Sequence, residues 1–157
     1  DLGAAPGGWA QYARSRVGLP GRVLALDILP IEPLPGVEIL RADFTETAAL
    51  AQLAQELAGR PVDLVISDMS PNISGIEVSD QARTMRLAEL ALDFAVQNLR
   101  PGGDFLVKTF QGQGFSEFYR HLQQRFEKLL TRKPKASRPR SREVYLLARG
   151  LRVSPKS

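Results

Sequence analysis

The chain has 157 residues, enough for one domain with a sizeable buried core, and its 43% hydrophobic and 24% charged residues are the balance of an ordinary globular protein. No run approaches the roughly 18 apolar residues of a membrane span, and no secretory signal opens the chain, so a cytoplasmic protein with no membrane partner is expected. Cysteine is absent, which excludes disulfides, thiolate metal sites and cysteine nucleophiles, and the net charge is +4 from 21 Lys and Arg against 17 Asp and Glu.

Asp1-Leu2-Gly3 reads as the end of a strand, and with no initiator Met the chain reads as a piece of a longer protein whose N-terminal part is missing. A glycine-rich loop, Gly3-Ala-Ala-Pro-Gly7-Gly8, leads into a helix expected over 8–17. Short apolar or β-branched runs bounded by turn residues predict strands at 22–27, 37–43, 62–68, 105–110 and 144–148. Helices are expected over 46–58, 80–99 and 115–125. The third helix in chain order, 80–99, is the clearest, with Leu87, Leu90, Ala91, Phe94, Ala95 and Leu99 at helical spacing and Pro101-Gly102-Gly103 as its stop. Strands alternating with helices predict an α/β, Rossmann-like fold. Its sheet is mostly parallel, with an antiparallel C-terminal edge hairpin and helices on both faces. One domain over 1–150 and a short tail over 151–157 are expected.

In an open α/β sheet, ligands bind beyond the carboxyl ends of the strands. The polar residues lie there: the loop after the first strand, Asp27 after the second, Asp43 after the third, Asp68 after the fourth. The loop's glycines admit a ligand close to the backbone, and the helix after it presents free N–H groups. Its spacing departs from the Gly-x-Gly-x-x-Gly of dinucleotide-binding loops, which disfavours a nicotinamide-dependent oxidoreductase. Asp27 is placed to accept from ribose hydroxyls, and Asp43-Phe44 suits an adenine; S-adenosylmethionine is the cofactor expected. Taken alone, Asp43 has a lesser alternative as an N-cap for the helix over 46–58. Trp9 either packs beside the cofactor or anchors its helix.

Asp68-Met69-Ser70-Pro71-Asn72 follows a buried strand. Methyl transfer to a base amino group commonly uses an aromatic just after such an acidic residue, and transfer to pyrimidine carbon 5 needs a cysteine; neither is here. Transfer to an oxygen by direct displacement remains. Lys108 interrupts the apolar run Phe105-Leu-Val-Lys-Thr-Phe, where a lysine costs desolvation unless it is paired or useful. If the strand over 144–148 runs antiparallel at the sheet edge, Glu143 shares a cleft with Lys108 and Asp68. That set can orient a hydroxyl and take its proton; a structural Lys108–Glu143 salt bridge is the plainer alternative. No metal is expected.

These stretches resemble the FtsJ/RrmJ family of ribosomal RNA 2′-O-ribose methyltransferases. The likeness is carried by Asp1-Leu-Gly-Ala-Ala-Pro-Gly-Gly-Trp9, Ser67-Asp-Met-Ser-Pro-Asn-Ile-Ser-Gly75, Val107-Lys-Thr-Phe-Gln-Gly112 and Lys133-Pro-Lys-Ala-Ser-Arg-Pro-Arg-Ser-Arg-Glu-Val-Tyr145, in order across nearly the whole chain. The resemblance implies cofactor contacts at Gly7, Trp9, Asp27, Asp43 and Asp68. It also implies a catalytic Lys-Asp-Lys-Glu tetrad, of which Asp68, Lys108 and Glu143 are present and the first lysine would lie upstream of the loop. The substrate it implies is a uridine ribose of 23S RNA in the large ribosomal subunit.

The basic run from Arg132 to Arg142 fits a phosphate-gripping loop through Arg138, Arg140 and Arg142, although such runs are often merely solvated. His121 is expected at or near the surface, and Gly112 and Gly114 flank either a mobile loop or simple turns. A monomer is expected. The alternative to an enzyme is a non-catalytic RNA-binding or ribosome-assembly module that keeps the fold.

Overall fold

The computed structural model describes residues 1–71, 74–133 and 142–153, with backbone alone at Glu77. These residues form two compact units, Asp1–Arg60 and Pro61–Ser157.

In the first unit, β1 (Val23–Asp27) and β2 (Val37–Arg41) pair in parallel from Val23↔Val37 to Asp27↔Arg41. Leu2 bridges Leu26 in parallel on the other side of β1. Helix α1 (Gly8–Arg16) packs through Ala10, against Ala4, Val23 and Ala25, where small side chains bring helix and strand close. The Arg14 guanidinium donates to the carbonyls of Val17, Gly21 and Gly36, which ties the end of α1 to the turns entering β1 and β2. Helix α2 (Thr47–Leu57) buries Ala49 and Leu53, one turn apart, and ends on Ala58 and Gly59, both at positive φ.

In the second unit β3 (Val62–Ser67), β4 (Leu99–Phe110), β5 (Phe126–Arg132) and β6 (Glu143–Leu151) form a sheet in the order β3-β4-β6-β5. β3 and β4 are parallel, whereas β6 runs antiparallel to both β4 and β5. Alternation sorts β4 into two faces. Phe105, Val107 and Thr109 are fully buried, as are Leu146 and Ala148 on β6. Helix α3 (Glu77–Asn98) packs on β4, and α4 (Phe115–Arg125) on β5 and β6. Phe118 and Leu122 of α4 are buried, and the rings of Phe105 and Phe126 stack with centroids 6.3 Å apart. Leu106, Lys108 and Phe110 take the other face and are half-buried.

Three features differ from the sequence reading. β5 is unmarked in the sequence, because it follows α4 with no glycine or proline between them. β4 starts at Leu99, so Pro101-Gly102-Gly103 lies within a strand rather than after a helix, and the pairing with β3 shifts register between Val62 and Leu64. Gly103 is needed there, since a Cβ would lie 3.0 Å from the Arg100 carbonyl oxygen and 3.2 Å from that of Asp63. Finally, the expected antiparallel C-terminal edge hairpin is formed by β5 and β6, but β6 is its inner strand, between β4 and β5, which forms the edge.

The turn into α3 is held by Asp80. Its carboxylate accepts from the backbone N–H and hydroxyl of Ser74, the N–H of Gly75 and the guanidinium of Arg83. The Ser74 N–H and hydroxyl above all, with Arg83 and Gly75 adding and burial opposing, pull its carboxyl down to about 2. A carboxyl depressed from an ordinary value of 3.8 stabilises the fold above that pH and loses the contribution as pH falls through about 2. Asp80→Asn is therefore expected to lower thermal stability at pH 6, with the gap to wild type closing between pH 4 and 2. A gap that stayed constant across this range would remove the carboxylate's charge from the explanation.

Candidate active site

The glycine loop of the first unit folds over the carboxyl end of β1. The N–H groups of Gly3 and Ala4 both donate to the Leu26 carbonyl, and the Ala5 N–H donates to Asp27 Oδ2 at 2.8 Å. Asp27 Oδ1 accepts from the Leu29 N–H at 3.0 Å. Asp27 thus braces both the loop and the turn after β1, a role the sequence reading did not assign, and a carboxylate has further lone pairs for a ligand. Gly7 is buried at φ +121°, and a Cβ on it would meet Leu34 Cδ1 at 2.9 Å, whereas Gly8 faces open space. Gly7 precedes α1 without side-chain capping, and Trp9 is half-buried in the first turn. Both carboxylate oxygens of Asp1 are buried with no hydrogen-bond partner among the described residues. Buried acceptors of this kind are costly unless a donor meets them.

Asp43 Oδ1 accepts from the Thr45 hydroxyl at 2.6 Å and the Thr45 N–H at 2.9 Å, and these bonds hold its carboxyl below the usual carboxylate range. It does not cap α2, whose N-cap is Glu46. The side chain closes a local turn instead, with Phe44 buried beside it in sequence.

The second unit carries the other group of polar residues. Ser67 pairs with Val107 in the parallel ladder, so Asp68 leaves β3 alongside Lys108. Lys108 Nζ lies 3.1 Å from Asp68 Oδ1 and donates to Ser70 Oγ at 2.6 Å, with only 11% of its side chain exposed. Across the antiparallel ladder Lys108 faces Tyr145, and Phe110 faces Glu143. Tyr145 and Glu143 share Lys108's face of the sheet, being two residues apart. The Tyr145 hydroxyl donates to Asp68 Oδ1 at 3.2 Å. Burial first, then the negative charges of Asp68 and Glu143, push the phenol above its ordinary value, so it remains a donor at neutral pH.

Asp68 and Lys108 are in direct contact, while Glu143 sits two ladder pairs further along, on the same face. Tyr145 and Ser70 join them unforeseen. The parity of Glu143 and Tyr145 in a strand was the signal for the first; nothing in the sequence marks the second.

The ends of the basic run are fixed near this cluster. Lys133 Nζ donates to the Glu143 carbonyl at 3.1 Å, and the Gln111 N–H donates to the Arg142 carbonyl at 2.9 Å. Arg138 and Arg140 lie outside the described residues. His121 is half exposed on α4, 4.0 Å from Glu117. Gly114 is the N-cap of α4, and Gly112 packs against Gln81 of α3, so both act as turn formers. Among the described residues no cluster of three or more His, Asp or Glu could hold a metal ion, and no helix is long and apolar enough to cross a membrane.

The FtsJ-like methyltransferase family matches residues 1–151. Over 150 residues the chain is 65% identical to the ribosomal RNA large subunit methyltransferase E of Alkalilimnicola ehrlichii, a match covering 96% of this chain and 72% of that protein. The protein of the same name from an Azoarcus species is 62% identical, over 97% of this chain and 74% of that one. Among solved structures, a Plasmodium falciparum protein assigned as a ribosomal RNA methyltransferase superposes with a TM-score of 0.83 at 23% identity, covering 96% of this chain and 84% of that one. That likeness bears on the fold, which is the α/β methyltransferase fold with helices about a mixed sheet. The chain belongs to the FtsJ-like methyltransferase family.

Proposed function

We propose that the protein methylates large-subunit ribosomal RNA, moving the methyl group of S-adenosylmethionine to the 2′-hydroxyl of a uridine ribose. The observation that carries this reading is the Lys108–Asp68 contact on a half-buried sheet face, with Tyr145 and Glu143 beside it. The names of the relatives support ribosomal RNA as the substrate.

The residues present suit the cofactor. The uncapped start of α1, the orphaned Asp1 carboxylate and the open side of Gly8 offer donors, an acceptor and space for a polar ligand at the glycine loop. Gly7, Trp9, Asp27 and Asp43 would hold it, and the family resemblance adds Asp68. When bound, it supplies a methyl group on a positively charged sulfur, open to attack by an oxygen from the opposite side. The protein's own task is then to present that oxygen. Asp68 positions Lys108 Nζ beside the ribose hydroxyl; in its neutral form the amine has a lone pair that takes the hydroxyl proton as the oxygen attacks the methyl group, and Glu143 adds negative charge on the same face. Tyr145 fixes Asp68 by donating to the oxygen that Lys108 also approaches.

The test is a labelled-methyl assay with full-length protein on isolated large ribosomal subunits, followed by nucleoside analysis. Label on a uridine 2′-oxygen is expected; label on a base nitrogen or carbon would overturn the reading. Arg138, Arg140 and Arg142 are assigned to the RNA backbone. Replacing all three with Ala should weaken RNA binding uniformly and reduce the dependence of log Kd on log salt by about 0.7–0.9 for each phosphate no longer neutralised. An unchanged slope would make the run a solvated loop.

A further inference from the structure

We propose that Ser70 is a positioning residue for Lys108, an inference that rests on the methyl-transfer role proposed above for Lys108. A lysine side chain turns about four bonds, and one ion pair fixes the distance of its nitrogen but not the direction of its remaining N–H groups. Lys108 Nζ has two anchors. Asp68 Oδ1 lies at 3.1 Å, and Ser70 Oγ accepts its N–H at 2.6 Å. Both belong to the three-residue stretch that leaves β3, so they are set by one piece of backbone. With two of the three positions about Nζ engaged, the third, which is the lone pair when the amine is neutral and acts as a base, has a defined direction.

The surroundings leave that task to Ser70. The Tyr145 hydroxyl, directly across the ladder, is directed to Asp68, so it steadies the carboxylate rather than the amine. Ser70 is exposed while the Lys108 side chain is 11% exposed, so the hydroxyl anchors the amine from the solvent side. An oxygen to be methylated must meet a base whose orientation is already set, because a small misplacement is expensive in rate. Ser70→Ala removes the second anchor and keeps the ion pair.

The test uses full-length protein with Ser70→Ala and Ser70→Thr. In steady-state methylation of ribosomal subunits, Ser70→Ala should lower kcat about tenfold while KM for RNA and cofactor stays within about twofold. Ser70→Thr, which keeps the hydroxyl, should restore the rate. Independently of turnover, NMR relaxation at the Lys108 Cε in cofactor-free protein should show a lower order parameter in Ser70→Ala and a wild-type value in Ser70→Thr. A wild-type kcat and unchanged order parameter in Ser70→Ala would overturn the proposal. Equal loss in both variants would also overturn it, by assigning Ser70 to the loop's backbone rather than to Lys108. If the order parameter falls as expected but wild-type protein places no methyl on ribose, the positioning stands and the proposed reaction is what fails.

Discussion

Lys108→Ala is expected to lower ribose methylation by roughly 10²–10⁴-fold, the range for removal of a positioned acid–base group. Affinity for S-adenosylhomocysteine should be nearly unchanged, because the substitution leaves the glycine loop, Asp27 and Asp43 as they are and Asp68 keeps its hydrogen bond from Tyr145. Lys108→Arg should rescue little. The planar guanidinium keeps the charge beside Asp68 but cannot release a proton near neutral pH, so it cannot serve as a base. Paired measurements of single-turnover rate and ligand-induced shift in Tm separate the two effects. Turnover within tenfold of wild type in Lys108→Ala would remove the lysine from the chemistry. It would also revive the reading of the protein as an RNA-binding module.

Phe105→Ala should destabilise the protein by about 3–5 kcal/mol, the usual cost of deleting a buried phenylalanine ring. Phe105 is fully buried and stacks on Phe126, so the variant also loses the aromatic pair. Against a total stability of about 5–15 kcal/mol that is a large fraction. Phe105→Leu, which refills most of the space, should cost roughly 1–2 kcal/mol. Urea titration of all three proteins reads these differences directly. A cost below about 1 kcal/mol for Phe105→Ala would mean that the core of this unit is centred elsewhere. The consequence for the site is direct, because Lys108 is three residues along the same strand and points to the opposite face.

Much of the architecture was legible because period and punctuation agreed. Helix α4 begins after Gly114 and ends at Arg125, where the sequence placed it. The strands ending at Asp27 and before Asp68 were marked by a polar residue after an apolar run. Legibility failed where a rule depends on neighbours far away in the chain. Phe126–Arg132 contains two charges early on and lacks a turn before it, so only its pairing with β6 reveals it as a strand. The antiparallel edge hairpin was legible, but which of its strands lies outermost was not, because a strand flanked on both sides reads like any other apolar run. At the site, Asp68 and Lys108 were visible as polar residues in apolar surroundings. Ser70 was not, and Tyr145 was marked only by sharing the strand parity of Glu143, since the significance of both lies in which side chain they meet. Asp27 was legible as a carboxylate at a strand end, but its grip on the Ala5 N–H required the loop's path.

The insertion of β6 between β4 and β5 bears on the order in which the molecule can be built. β6 is the last of the described strands in sequence, yet its two neighbours precede it, so in a chain synthesised only that far both present unpaired edges. Unpaired edges invite pairing with other chains, and an intermediate that lacks β6 is the species most exposed to aggregation. The hydrogen bond from Tyr145 to Asp68 spans 77 residues of sequence, about half the chain. Closing so long a loop has an entropic cost that only the completed sheet offsets. Two members of the polar cluster, Glu143 and Tyr145, are carried by β6, so a nascent or truncated chain ending before Glu143 would lack them.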